Sequence, residues 1–228
     1  KITEEFDLLI IGGGINGTGV ARDASGRGLR VLLCEKDDLA QGTSSSSTKL
    51  VHGGLRYLEN FDFKLVRESL VERETLLKSM PHIIWPLRFI LPHHSGLRPY
   101  WLIRLGLLFY DYLGARKILK GTKSINFFDH ESGKPLRENF TKGFEYSDCW
   151  VDDSRMVVLN SRDAKENGAK ILTRTLFDSA ERSKDFWNIN LINQRNKKNI
   201  KIKARSIINC AGPWVQKIIE NNFNNVTQ

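Results

Sequence analysis

Three glycines spaced G-x-G-x-x-G, at Gly12, Gly14 and Gly17, are the residues whose pattern points most directly to chemistry. They follow the apolar run Phe6-Asp-Leu-Leu-Ile-Ile11 and open a segment of helical character over 15–28. A second apolar run, Arg30-Val-Leu-Leu-Cys-Glu35, ends in an acid. Gly12 permits a tight turn out of a strand, Gly14 leaves room for a pyrophosphate against the backbone, and Gly17 lets the helix close on the sheet. The helix N-terminus offers free N–H groups and a partial positive charge to phosphates. Glu35 can accept from ribose hydroxyls and would repel a 2′-phosphate, which disfavours NADP. Strand, turn, helix, strand and acid in this order make a dinucleotide-binding βαβ unit, a fingerprint that FAD and NAD share.

A second cluster follows in Gln41-Gly-Thr-Ser-Ser-Ser-Ser-Thr48-Lys49-Leu-Val-His52-Gly-Gly-Leu-Arg56-Tyr57. Four serines alone would suit a flexible linker. Here the run is short and passes at once into His52, two glycines and Arg56. Small hydroxyl residues let backbone lie against a flat or phosphorylated ligand, so this is expected to be a cofactor-wrapping loop on a rigid scaffold.

The elements that must position these residues are legible in outline. Residues 62–80 read as a helix with Asp62 as N-cap and with Phe63, Val66, Leu70 and Leu77 on one face. Pro81 ends it, and 85–92 is a strand bracketed by prolines. In the segment 100–113 the polar residues Arg104 and Asp111 share one narrow stripe, and Arg116, Lys117, Lys120 and Lys123 follow. A helix so apolar is either buried or dips into a membrane interface beside its basic neighbours. Residues 127–143 are loop-like and 143–151 a strand. Asp153 is expected to cap a helix over 154–167, with Met156, Leu159 and Ala164 inward and Gly168 as its stop. A strand over 170–177, a polar hairpin of 186–192 and 200–204, and a buried strand over 205–210 complete the pattern. The turn Ala211-Gly-Pro-Trp214 comes next, and the asparagine-rich tail 220–228 is expected to fray.

With 228 residues the chain is long enough for one large or two small domains. Its net charge of +9 suits an anionic ligand or membrane surface. Nucleic acid is not expected, because no basic and aromatic pattern of a known reader occurs. Cys34, Cys149 and Cys210 are scattered, without C-x-x-C spacing, so they read as small buried hydrophobes in a reducing compartment, and no metal site is expected. A signal peptide before the first strand is not expected, and no apolar stretch reaches the ~20 residues that span a bilayer.

Four stretches together resemble the FAD-dependent glycerol-3-phosphate dehydrogenases: 12–19, 43–59, 143–155 and Asn209-Cys-Ala-Gly-Pro-Trp214. The His-Gly-Gly-Leu-Arg-Tyr stretch is the most specific of them, and the match is loose over 178–203 and at the end of the chain. The resemblance implies an α/β fold of the D-amino-acid-oxidase type. Its Rossmann-like FAD-binding domain would consist of segments 1–82 and 151–228, with a partial cap or substrate region over 83–150. It implies oxidation of sn-glycerol 3-phosphate to dihydroxyacetone phosphate, with electrons passed to a membrane quinone. An oxidase passing them to oxygen, or a non-catalytic remnant that at most binds a nucleotide, are the alternatives. Family members are longer, so the chain is read as an N-terminal portion, inactive alone. Peripheral attachment is implied to the inner face of a bacterial cell membrane or, in a eukaryote, to the inner mitochondrial membrane. A homo-oligomer is compatible with all of this.

Carried onto this sequence, the resemblance implies FAD contacts from Gly12, Gly14, Asn16 and Gly17 at the pyrophosphate and from Glu35 at the ribose, with Gly13 and Lys36 beside them. Thr43, Ser44, Ser45, Ser46 and Lys49 would run toward the flavin. The backbone of Phe177 would lie near the adenine, and Ala211 and Gly212 near the nucleotide. Oxidising a secondary alcohol requires a proton acceptor with a pKa near working pH, which suits His52. A phosphomonoester requires a forked cation, which suits Arg56. Tyr57 could donate to a substrate oxygen or simply pack.

Overall fold

The computed structural model describes residues 3–114 and 117–224. The strands are β1 (Glu4–Ile11), β2 (Val31–Cys34), β3 (Leu50–Val51), β4 (Ile84–Pro92), β5 (Lys123–Asn126), β6 (Lys142–Val151), β7 (Lys170–Leu172), β8 (Thr175–Ser183), β9 (Phe186–Asn193), β10 (Asn199–Asn209) and β11 (Phe223–Asn224). The helices are α1 (Ile15–Gly26), α2 (Phe63–Ser79), α3 (Tyr100–Leu113), α4 (Asp153–Glu166) and α5 (Val215–Asn222). They form two compact units, one of Lys1–Ser47 with Asp153–Gln228 and one of Thr48–Asp152.

The first unit is built on a seven-stranded sheet of order β11-β8-β9-β10-β1-β2-β7. β10, β1, β2 and β7 run parallel, and β8, β9 and β10 form an antiparallel meander. Leu9 and Ile10 of β1 are both fully buried and point to opposite faces, so the strand is covered on both sides. On one face Phe6, Leu9, Leu32, Phe177 and Leu191 form a core. On the other, Leu8, Ile10 and Leu33 pack with Ala21 and Ala24 of α1 and Ala164 of α4. The small residues let both helices lie close to the sheet.

Three expectations for this unit change. The segment 170–177 divides into β7 and β8, because Arg174 adopts φ +53° between them. Its N–H donates to Asp37 O and that of Thr175 to Glu35 O, so the chain turns out of β7's register there. The expected hairpin arm 200–204 and the strand 205–210 are instead one strand. β10 pairs with β9 through Ala204 and with β1 through Asn209, and Ile208 is exposed rather than buried. The inward positions of α4 are Val157, Asn160, Ser161 and Ala164 rather than Met156 and Leu159, and Asn160 reaches Arg22 of α1. Gly168 stops α4 with φ +91°. Of the tail expected to fray, 220–222 close α5 and 223–224 form β11, which pairs with β8. Residues 225–228 lie outside the described residues, as does Arg116.

The second unit carries an antiparallel sheet of order β3-β6-β4, with β5 also on β6. α2 buries Val66, Leu70, Arg73 and Leu77, while Phe63 is exposed. Asp62 holds the N-cap position without a side-chain cap bond. Val66 and Leu70 pack on Tyr110 of α3. This packing ties α2 to the second unit, so the division falls after Ser47 and Asp152, where the sequence suggests 82 and 150.

The helix α3 turns its polar stripe toward the protein. Arg104 donates to Thr122 Oγ1 (2.7 Å), and Asp111 accepts from Thr122 N and Oγ1 (2.8 and 2.9 Å). The polar stripe therefore holds the loop before β5. Leu107 and Tyr110 are buried, and Trp101, Leu105, Phe109 and Tyr112 stand exposed.

Candidate functional site

In the first unit the glycine turn sits at the C-terminal ends of the parallel strands, where α/β sheets bind ligands. Gly12 has φ +109°, and a Cβ on it would lie 2.6 Å from Cys210 O at the end of β10. A Cβ on Gly17 would lie 1.9 Å from Gly12 O, so the helix closes on the turn only because Gly17 lacks one. A Cβ on Gly14 would be 3.0 Å from Ser44 Oγ, so here the glycine makes room for the serine loop. Ser44 Oγ accepts the Ile15 N–H (2.9 Å). The N–H groups of Asn16 and Gly17 have no acceptor among the described residues, and the first turn of α1 holds no acid.

Glu35, just past β2, accepts Gly13 N–H on Oε2 (2.7 Å) and Asp37 N–H on Oε1 (2.8 Å). Its carboxylate thus fixes the turn from behind and keeps further lone pairs for a hydroxyl. Ser45 Oγ donates to Gly42 O, and Ser46 N–H to Thr43 O, which folds the serine run into a short turn. Lys36 lies over the Trp214 ring (5.1 Å) and near Asp37 (3.8 Å). Ala211 N–H donates to Asn209 Oδ1, and Gly212 has φ +56° with open space where a Cβ would stand. The Phe177 side chain is buried against Phe223 (centroids 5.4 Å), so any ligand contact there falls to its backbone.

Lys49, His52, Arg56 and Tyr57 belong to the second unit. Lys49 has φ +57° and its carbonyl accepts Val151 N–H (2.9 Å). Gly54 has φ +70°, and a Cβ there would meet the Tyr57 ring at 2.4 Å; one on Gly53 would meet Leu70 at 2.3 Å. Both glycines are thus required by close packing. His52 is exposed, and its Nδ1 accepts the Gly54 N–H (3.0 Å). That bond assigns the neutral ring's proton to Nε2, which then points outward as a donor. Arg56 is exposed, with no ion-pair or hydrogen-bond partner among the described residues.

Three residues behind this loop escape the motif-based reading. Gly53 N–H donates to Tyr110 Oη (2.8 Å), Tyr110 Oη donates to Asp148 Oδ1 (2.8 Å), and Arg73 Nη1 donates to the same oxygen (2.6 Å). All three side chains are buried. Burial, with the Asp148 charge beside it, pushes the Tyr110 phenol far above its ordinary range and keeps the proton on it. A signal existed: Arg73 falls at position i+7 from Val66, on the face that Val66, Leu70 and Leu77 define as core.

Cys34 and Cys149 are buried as expected, while Cys210 is half-buried. Burial pushes the Cys34 thiol up to about 12 and the Cys149 thiol up to about 11, and raises that of Cys210.

The family model of FAD dependent oxidoreductases (DAO) matches residues 7–227. Over 96% of its length the chain is 59% identical to the D-erythritol 1-phosphate dehydrogenase of Brucella abortus, spanning 43% of that protein. Over 97% of its length it is 55% identical to the glycerol-3-phosphate dehydrogenase of Pseudomonas tolaasii, spanning 42% of it. Among solved structures, the glycerol-3-phosphate dehydrogenase of Bacillus halodurans complexed with FAD superposes with a TM-score of 0.71 at 29% identity. That match covers 95% of this chain and 36% of the other. The chain therefore spans less than half the length of these relatives.

Proposed function

This chain belongs to the FAD dependent oxidoreductase (DAO) family, and from that premise we propose that it supplies the nucleotide cradle and the substrate loop of a polyol-phosphate dehydrogenase. The observation that carries this is the pair of unclaimed N–H groups, Asn16 and Gly17, at the start of a 12-residue helix, with Glu35 braced behind the turn. Those groups fit a diphosphate, and the free lone pairs of Glu35 fit a ribose diol. FAD, when bound, supplies the acceptor for the two electrons lost by the alcohol carbon.

The remaining roles are those of the chain's own side chains. Arg56, a fork with no partner among the described residues, binds the phosphate of sn-glycerol 3-phosphate. His52 presents Nε2–H to a substrate oxygen. To take up the hydroxyl proton at Nε2 it must adopt the other tautomer and release Gly54 N–H. Tyr57, packed over Gly54, closes one side of the loop. The product is dihydroxyacetone phosphate, and a membrane quinone is the proposed acceptor, with oxygen as the alternative. A four-carbon polyol phosphate is the second candidate substrate, supported by the 59% identity to the erythritol-phosphate enzyme. The exposed ridge of Trp101, Leu105, Phe109 and Tyr112 supports peripheral attachment to the inner face of the cell membrane.

The test has two steps. Titration of the purified chain with FAD, followed by flavin fluorescence, is expected to saturate at one equivalent; Gly17→Val should abolish it. Dye reduction is then measured with sn-glycerol 3-phosphate and D-erythritol 1-phosphate. Turnover is expected only with the additional length present in the relatives, and dye reduction by the 228 residues alone would overturn that part. Absence of FAD binding would overturn the nucleotide role.

A further inference from the structure

We infer that Tyr110 is a positioning residue for the substrate loop, an inference that rests on the roles proposed for His52 and Arg56. The turn His52-Gly53-Gly54 has little regular structure to hold it. It leaves the two-residue strand β3 and enters a short 3-10 turn over Leu55–Asn60. Two consecutive backbone N–H groups decide its shape. That of Gly54 is taken by His52 Nδ1, a bond inside the turn itself. That of Gly53 is taken by Tyr110 Oη, its link by hydrogen bond to the rest of the unit.

The phenol can do this in one orientation only. Asp148 Oδ1 has no proton to give, so Tyr110 must spend its own hydrogen on Asp148 and offer its lone pair to Gly53. Arg73 holds that carboxylate in place, 2.6 Å away, and also donates to Ser147 O. Arg73 and Asp148 are only 3% and 6% exposed, and Arg73 Nε has no hydrogen-bond partner among the described residues. A buried and incompletely satisfied ion pair is a poor device for stability alone, since apolar residues of similar size would serve a core as well or better. Its chemical effect is to orient one hydroxyl toward one backbone N–H. The Tyr110 ring meanwhile packs where a Cβ on Gly53 would fall, at 2.9 Å. Ring and hydroxyl thus fix both the distance and the orientation of the turn that carries His52 and, two residues further on, Arg56.

Tyr110→Phe removes the hydroxyl and leaves the ring. In the FAD-loaded protein of the relatives' full length, KM for sn-glycerol 3-phosphate should rise on the order of tenfold. KM for unphosphorylated glycerol, which would meet His52 but not Arg56, should rise clearly less, and the FAD content should stay as in the wild type, because the variant leaves the cradle alone. An unchanged KM for the phosphorylated substrate, or an equal rise for both, would overturn the inference. Hydrogen exchange of the 228-residue chain gives an answer independent of activity. The Gly53 amide should exchange as slowly as those of β6 in the wild type and at least about tenfold faster in Tyr110→Phe, with Gly13 unaltered. A Gly53 amide that exchanges rapidly in the wild type sinks the inference even if the variant fails to fold. If the wild type oxidises neither polyol phosphate while Gly53 is protected through Tyr110, it is the proposed function that fails, and the anchoring stands.

Discussion

The two units hold the groups proposed to meet a ligand by different means. Around Gly12, Gly14 and Gly17 the working groups are backbone N–H donors, aimed by a helix and braced by one carboxylate from the neighbouring strand. Around His52 and Arg56 they are side chains on a turn whose backbone is held from below by a buried Arg73–Asp148–Tyr110 network. The first arrangement depends on the absence of side chains and tolerates almost no added atom. The second depends on three polar side chains from separate elements and fails when any of them loses its partner. The lesson is that a glycine turn can be written into one short stretch, whereas a loop can draw its geometry from residues that lie nearly a hundred positions away.

The sharpest way to break this comparison is to remove one member of the buried network. Asp148→Ala leaves the buried Arg73 to its longer pairing with Glu74 (3.9 Å), and should cost about 3–5 kcal/mol in urea unfolding. The double replacement Arg73→Met with Asp148→Leu should recover most of that loss without restoring the Gly53 anchor. A loss below about 1 kcal/mol for the single variant would mean that the second unit is not held in this way. Next comes Arg56→Ala in the active protein. It should weaken the phosphorylated substrate by about 1.5–3 kcal/mol, read as a ten- to hundredfold rise in KM, with glycerol unaffected. Equal effects on both substrates would remove Arg56 from the phosphate role.

For the first unit, Gly17→Ala should cost about 1–3 kcal/mol, because its Cβ would strike Gly12 O. Gly19→Ala on the same helix meets nothing within 4 Å and should stabilise by about 0.5–1 kcal/mol. Similar effects at the two positions would deny that the cradle is crowded where Gly17 stands. Alkaline pH should separate native from unfolded chain through the cysteines. The unfolded thiols ionise near their ordinary value of 9.0, while burial holds Cys34 neutral until about 12 and Cys149 until about 11. Unfolded chains therefore bind fewer protons above pH 9, and stability should fall as pH rises from there. Cys34→Ala should flatten that slope in a pH series of urea melts. The smallest change is expected for Trp101→Ser, within about 0.5 kcal/mol in stability, since the side chain is 68% exposed. It should nonetheless reduce sedimentation with anionic vesicles, and unchanged sedimentation would take the ridge out of membrane attachment.

The geometry of the glycine turn was legible because its residues are neighbours in the chain. A strand-length apolar run, G-x-G-x-x-G, a helix and Glu35 are consecutive, and their local geometry follows from backbone sterics alone. The same holds for β1, α1, β2 and the bounds of α3, which apolar content and flanking residues define. Locality also explains the errors. The sequence could not say that 199–209 is one strand, because its halves differ in burial while their partners, β9 and β1, come from distant segments. Nor could it say which side of α3 faces inward, since the answer lies in Arg104 donating to Thr122 and Asp111 accepting from it.

What the sequence determined by itself was thus a dinucleotide unit, its glycine turn and the existence of a His-Gly-Gly-Leu-Arg-Tyr loop. What only the tertiary structure decided was how that loop is held. Tyr110, Asp148 and Arg73 become one hydrogen-bonded group through the packing of α2 and α3 with β6, and a buried polar atom finds its partner by proximity in space, for which order along the chain gives no rule.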